Sequence, residues 1–402
     1  MSYLLLGLPF LGVAVAAGIG FTRRRGSAGR SHRRADRLLH WRAAALAAAA
    51  LLVLTAVFDS LMIGAGLFHY APDRILGARV GLAPVEDFAY PLAAIIALPA
   101  LWSWLREGDR STVLRALLRR ALVVSRPVSW VNTAFPFGAA MLLTTREIDW
   151  LWCVGVLYYL IPYNLAMYGI NDVYDYESDR NNPRKGGVEG ALLEPRLHRP
   201  LLLLIAAGNL PVLLVLCAAG GPAAWAAIAV STFAVIAYSA QPLRFKEIPV
   251  LDSLTSSVHF VSPAVVGLAL AGAEASPALV LSLLAFLLWG AAAHAFGAVQ
   301  DIGPDRAAGI SSVATALGAR RTVRLSLALW LASGAVMLAT PWPGPLAALV
   351  AVPYLLNAAP WWRIDDDGSA RSNRAWRRFM LLNYVSGFLV TLILILVWRL
   401  TS

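Results

Sequence analysis

Apolar residues run along this chain in blocks long enough to cross a bilayer, about 20 residues each, separated by short, mostly basic connections. Such blocks lie near 3–21, 43–66, 88–105, 129–145, 149–170, 199–218, 223–240, 250–271, 277–299, 323–340, 345–361 and 379–398. The pattern predicts an all-α polytopic membrane protein of about twelve transmembrane helices. The first block is read as a retained span, because its basic residues follow the apolar stretch, whereas a signal peptide has them before it.

Composition agrees: 59% of the residues are hydrophobic and only 14% are charged, against about 25% charged in soluble domains. A net charge of +11 would otherwise suggest a nucleic-acid partner, but the apolar runs exclude one. Cys153 and Cys217 both sit inside apolar blocks, so no disulfide framework is expected. Of the 34 Lys and Arg residues, 30 fall in the odd-numbered connections. That asymmetry predicts those connections to be cytoplasmic, in the cell (plasma) membrane, and explains the positive charge as facing anionic headgroups.

Two acidic clusters lie on that side. The fifth block ends in Asn171-Asp172-Val173-Tyr174-Asp175-Tyr176-Glu177-Ser178-Asp179. On a continuing helix Asp172, Asp175 and Asp179 share one face. Converging carboxylates repel one another unless a divalent cation lies between them, and hard oxygen donors suit Mg²⁺ completed by substrate phosphates. Arg180, Arg184 and Lys185 follow, ready for such phosphates. The ninth block closes on Asp301-Ile302-Gly303-Pro304-Asp305-Arg306, with Asp301 and Asp305 four residues apart. A solvated acidic helix end is the plain alternative for either cluster alone. Their shared side of the membrane favours a metal–diphosphate site, with Asn171, Asp172, Asp175, Asp179, Asp301 and Asp305 around the metal. Arg244 and Lys246, in a short turn on the same side, and Arg306 are expected at the diphosphate with Arg180 and Lys185.

From about residue 120 onward the chain resembles the UbiA-type intramembrane prenyltransferases. The residues carrying this are NDVYDYESD at 171–179, DIGPD at 301–305, SRPVSWVNTAFPF at 125–137 and YSAQPLRFKEIPVLD at 238–252. The resemblance implies a nine-helix bundle and Mg²⁺-dependent transfer of an allylic prenyl group to a lipophilic acceptor. It also favours Asn132 as a pocket residue over a helix–helix hydrogen bond. Arg126 reads equally as an interface anchor, and His294 as a packed, satisfied histidine.

The three blocks of 1–105 lie outside that resemblance. Glu86 and Asp87 follow Pro84 at the edge of a span, with Asp59 near the same level. A carboxyl group in an apolar site can carry a proton near neutrality, whereas an interfacial helix N-terminus would hold the same acids unremarkably. The stretch GLAPVEDFAYPLAA at 81–94 resembles the lycopene cyclase domain of heterodimeric carotenoid cyclases, through Pro84-Val85-Glu86-Asp87. HAFGAVQDIGPDRAAGISSVATALG at 294–318 is similar to lycopene elongases. Together these imply a cyclase-like domain at 1–105, a basic cytoplasmic linker at 106–124 and a prenyltransferase domain at 125–402. The implied substrates are dimethylallyl diphosphate and lycopene, with a second cyclase subunit as partner. Glu86, Asp87 and Asn132 are the implied catalytic residues. An aromatic acceptor, a transporter with intramembrane acids and a silent scaffold are the rivals. An aromatic acceptor leaves 1–105 unexplained, and transporter sites lie nearer the midplane than these acids.

Overall fold

The computed structural model describes residues 11, 12, 14, 15, 33–67, 69–106, 113–177 and 192–401. Two compact units divide the chain, Met1–Thr112 and Val113–Ser402. Nearly every described segment is helical. Nine helical segments among the described residues are long and apolar enough to cross a membrane. Two further predicted spans appear as helices of 18 residues (Ala89–Arg106) and 16 residues (Trp130–Thr145). The predicted span at 3–21 falls almost wholly outside the described residues.

In the first unit, α1 (Arg33–Gly64) and α2 (Ala89–Arg106) pack against each other. Between them a small antiparallel hairpin pairs β1 (Arg79–Val80) with β2 (Ala83–Pro84). Gly81 turns it with φ +67°, and a Cβ there would meet the Ser60 hydroxyl at 2.5 Å. Glycine alone permits this approach, and Ser60 Oγ accepts a hydrogen bond from the Leu82 N–H at 2.9 Å.

The second unit comprises α3 (Val113–Val124), α4 (Trp130–Thr145), α5 (Trp150–Leu160), α6 (Pro162–Tyr174), α7 (His198–Ala219), α8 (Pro222–Ser239) and α9 (Leu251–Leu270). It continues through α10 (Pro277–Ala298), α11 (Ile302–Ala307), α12 (Val313–Leu317), α13 (Ala319–Leu338), α14 (Ala351–Ala358) and α15 (Asn373–Leu400). The long α9 lies among α4, α8 and α10.

Polarity is arranged as a lipid environment demands. Leu214, Leu356 and Leu381 are exposed, whereas Thr133, Asn164, Ser231 and Ser262 are buried. Lipid tails give helices no hydrophobic reason to associate, so close packing and interhelical hydrogen bonds do that work. Thr133 donates to the Tyr159 carbonyl at 2.7 Å, and Asn164 donates to Thr133 Oγ1 at 2.7 Å. Fully buried Phe137 fills the space left by Gly155, where a Cβ would stand 2.0 Å from its ring. A second core stacks Trp330, Tyr354 and Phe379 between α13, α14 and α15.

Candidate active site

The helix carrying the first acidic cluster stops earlier than the spacing predicted. α6 ends at Tyr174 and Asp175 is its C-cap, so Asp172 and Asp175 do not lie within one continuous helix. Asp179, Arg180 and Lys185 lie outside the described residues. Asp172 and Asp175 are both buried, at 1% and 7% exposure.

Burying two carboxylates is costly unless cations accompany them, and three do. Arg126 bonds Asp172 at 3.1 Å and stacks over the Tyr168 ring at 4.2 Å. Lys246 contacts Asp175 directly, and Arg244 approaches it at 3.6 Å while also pairing with Glu247. The expectation that only a divalent cation could compensate these acids is therefore corrected: basic side chains from two other segments do so. Both arginines occupy left-handed backbone, Arg126 at φ 49° and Arg244 at φ 41°. Non-glycine residues hold that region at a cost of about 1–3 kcal/mol, a sign that the surrounding structure fixes these cations.

Lys246 links the two acidic clusters. Burial pulls its ammonium down to about 8, while the negative charges of Glu247, Asp172 and Asp305 pull upward. Asp172 and Asp305 thus act on one lysine although 133 positions apart in sequence. Asp301 is the N-cap residue of α11, and Asp305 lies within that short helix. Asn171 is held by the Ser239 hydroxyl, which donates to its Oδ1 at 3.0 Å.

Arg306 is engaged elsewhere. It pairs with Asp366 at 2.7 Å and donates to the Thr315 carbonyl at 3.0 Å. The Ala319 N–H, then Arg306, hold the Asp366 carboxyl below the usual range. Asn132 is exposed on α4. Sequence reasoning missed the roles of Arg126 and Asp252. Asp252 is fully buried and accepts from the N–H groups of Ser253 at 2.7 Å and Val313 at 2.8 Å. It thereby fixes the start of α12, just beyond the second acidic cluster.

Among the described residues no three His, Cys, Asp or Glu side chains converge on one point that would hold a metal. The donors present are carboxylate and amide oxygens in separate pairs, with no thiolate nearby. That set fits a hard cation that takes one or two carboxylates and completes its shell with water and phosphate.

The first unit holds a separate acidic group. Glu86 is buried, and its Oε1 accepts from the Leu76 N–H at 2.5 Å. Its Oε2 has no hydrogen-bond partner among the described residues. Asp87 accepts from the Tyr70 hydroxyl at 2.7 Å. Burial raises the Asp87 carboxyl, the Tyr70 hydroxyl opposes that rise, and the charge of Glu86 adds to it.

A helical membrane bundle with paired carboxylates and cations at one end defines an intramembrane enzyme handling an anionic substrate. Residues 133–385 match the UbiA prenyltransferase family, and the chain belongs to that family. It is 46% identical to the C(50) beta-cyclic carotenoids biosynthesis protein LbtBC of Dietzia sp., over 87% of this chain and 89% of that protein. It is 48% identical to the lycopene elongase/hydratase of Corynebacterium glutamicum, over 69% of this chain and 97% of that protein. The solved structure of a digeranylgeranylglyceryl phosphate synthase in membranes shares the fold, with TM-score 0.51 at 14% identity, over 69% of this chain and 99% of that one.

Proposed function

We propose that this chain is a lycopene elongase: it transfers dimethylallyl groups from dimethylallyl diphosphate to the ends of lycopene in C(50) carotenoid biosynthesis. The observation that carries the reaction class is the UbiA family match over residues 133–385, together with buried Asp172 and Asp175 each paired with cations from other segments. The acceptor follows from the Dietzia and Corynebacterium relatives.

Mg²⁺, when bound, neutralises charge developing on the departing diphosphate. Asn171, Asp172, Asp175, Asp179, Asp301 and Asp305 are the residues to hold it. Arg244 and Lys246, with Arg180 and Lys185, would bind the diphosphate anion, whereas Arg306 is held by Asp366 and the Thr315 carbonyl. Arg244 and Lys246 also compensate the charge of buried Asp175. Asp172 and Asp175 would hold the metal through their carboxylate oxygens, and Arg244 and Lys246 lie beside Asp175 where they would meet the phosphates. The buried setting strengthens each of these contacts and keeps water from the allylic cation. Asn132 lines the acceptor path.

The same reading makes 1–105 a cyclase-subunit domain joined through 106–124 to the prenyltransferase domain at 125–402. The Dietzia alignment spans more of the chain than Val113–Ser402 can supply, so it reaches into the first unit. Glu86 and Asp87 would exchange the proton of ring closure, with a second cyclase subunit completing the site. The acidic clusters face the cytoplasm, as the positive-inside distribution of Lys and Arg supports.

Expression in lycopene-accumulating cells tests the reading. The full chain should yield pigments heavier by one C5 unit at each end, and residues 113–402 alone should yield the acyclic forms. Unaltered lycopene beside a membrane-inserted protein would contradict it.

A further inference from the structure

Each buried acid of the first cluster carries a cation drawn from another segment, Arg126 on Asp172 and Lys246 with Arg244 on Asp175. The second cluster has a cation next to it in the chain, since Arg306 follows Asp305 directly within α11. That guanidinium is held elsewhere. One nitrogen meets Asp366 Oδ2 at 2.7 Å, and the other donates to the Thr315 carbonyl at 3.0 Å.

Asp366 lies in the connection between α14 and α15, and the chain is shaped to seat it. Its Oδ1 accepts from the Ala319 N–H, at the start of α13, at 2.6 Å. The preceding Gly318 stands at φ +77°, and a Cβ there would come within 3.1 Å of the same carboxylate. Glycine permits both that backbone and that approach. The end of the same connection holds the other side of the cluster: Asn373, the first residue of α15, donates to Gln300 Oε1 at 2.5 Å, one position before Asp301. One loop thus grips Gln300 and Arg306, on either side of Asp301 and Asp305.

Stability does not account for the Arg306–Asp366 pair. Its side chains are 47% and 37% exposed, and ion pairs in such settings add little to folding. The pair does fix where a charge lies. A guanidinium keeps its proton and ends a long, rotatable stem. Released from Asp366, it is able to pair with the carboxylates beside it, as Arg126 pairs with Asp172, and to compete with a divalent cation for the same oxygens.

We propose that Asp366 is a positioning residue that keeps Arg306 off the second acidic cluster, so that Asp301 and Asp305 meet a divalent cation without competition from the guanidinium next to them. Asp366 acts through Arg306 alone and touches neither metal nor substrate.

This inference rests on the reading of Asp301 and Asp305 as metal-holding residues, and its test separates the two. Full-length protein in lipid vesicles is titrated with Mn²⁺ in the presence of inorganic diphosphate, and free Mn²⁺ is read from its paramagnetic resonance signal. Asp366→Asn keeps an acceptor for the Ala319 N–H but releases Arg306. It should weaken Mn²⁺ binding by about tenfold, the scale of one unit charge brought within a few ångström in a partly solvated site. Adding Arg306→Gln to Asp366→Asn removes the released charge, and binding should return to within about twofold of wild type, the margin within which uncoupled changes add. A purely structural role gives the opposite pattern, because the double variant loses more of the loop's contacts. Unchanged or tighter binding in Asp366→Asn would overturn the inference. So would a double variant that binds no better than Asp366→Asn, whether through lost affinity or lost folding. If Asp301→Ala binds Mn²⁺ as wild type does, the second cluster holds no metal, and that reading fails together with the inference.

Discussion

Arg126 and Asp172 meet at 3.1 Å across 46 positions of sequence, the carboxylate fully enclosed and the arginine on left-handed backbone before a proline. The residue before proline is ordinarily driven to extended conformations. The chain departs from that preference at the point where a cation is needed for the first acidic cluster.

Removing Arg126 should therefore be severe. Arg126→Ala leaves a buried carboxylate without this cation, which typically costs about 3–5 kcal/mol. Thermal unfolding in detergent should show a lowered midpoint, and prenyl transfer should fall with it. Arg126→Lys should restore part of both, because charge returns without the planar guanidinium that stacks on Tyr168. A midpoint unchanged in Arg126→Ala would show that the pair contributes nothing to the bundle.

Gly155 is a packing requirement. A Cβ there falls inside the van der Waals radius of the Phe137 ring, so Gly155→Leu must separate α4 from α5. Overpacking of this kind typically costs about 1–3 kcal/mol. Gly208, within α7 and with no atom within 4 Å of its virtual Cβ, is the control, and Gly208→Ala should not lower thermal stability, since Ala favours a helix interior over Gly by about 0.5–1 kcal/mol.

Lys246 should impose an upper pH limit on substrate binding. Its ammonium, held down to about 8 by burial, is charged below that pH and loses its charge as pH rises through it. KM for dimethylallyl diphosphate should rise above about pH 8. Lys246→Arg, whose guanidinium stays charged, should flatten that limb. A parallel rise in KM in both proteins would assign the limit to another group.

Asp87 titrates in the opposite sense from a salt-bridged acid. Its folded pKa is raised above 3.8, so between 3.8 and the folded value the native state binds more protons than the unfolded one. By linkage, its contribution to stability declines as pH rises through that window. Glu86→Gln removes a like charge and should move the Asp87 titration downward, read from its carboxyl stretching band in the infrared. A band that titrates at the same pH in wild type and variant would contradict the coupling.

The membrane class and most spans were legible in the sequence because apolar length is a local property. So were the acidic clusters and the UbiA resemblance, since their residues are adjacent in the chain. Arg126 as the partner of Asp172 was not, because nothing local distinguishes a site arginine from the many that face lipid headgroups. The end of α6 at Tyr174 was equally hidden, since the carboxylate spacing itself suits a longer helix. Arg306 stands beside Asp305 in sequence yet pairs with Asp366, 60 positions away. That choice depends on how the last connections fold back over α11.

The most direct test of the shared carboxylate site is diphosphate release in lipid vesicles supplied with lycopene, dimethylallyl diphosphate and saturating Mg²⁺. Asp175→Ala and Asp301→Ala, made separately in protein shown to be inserted and monodisperse, should each lower the rate by about 10²-fold or more. That is the scale of losing one charge-stabilising group in a water-poor site. A near wild-type rate in Asp301→Ala would show that the second acidic cluster takes no part in the reaction, and the account of one site built from both clusters would fail.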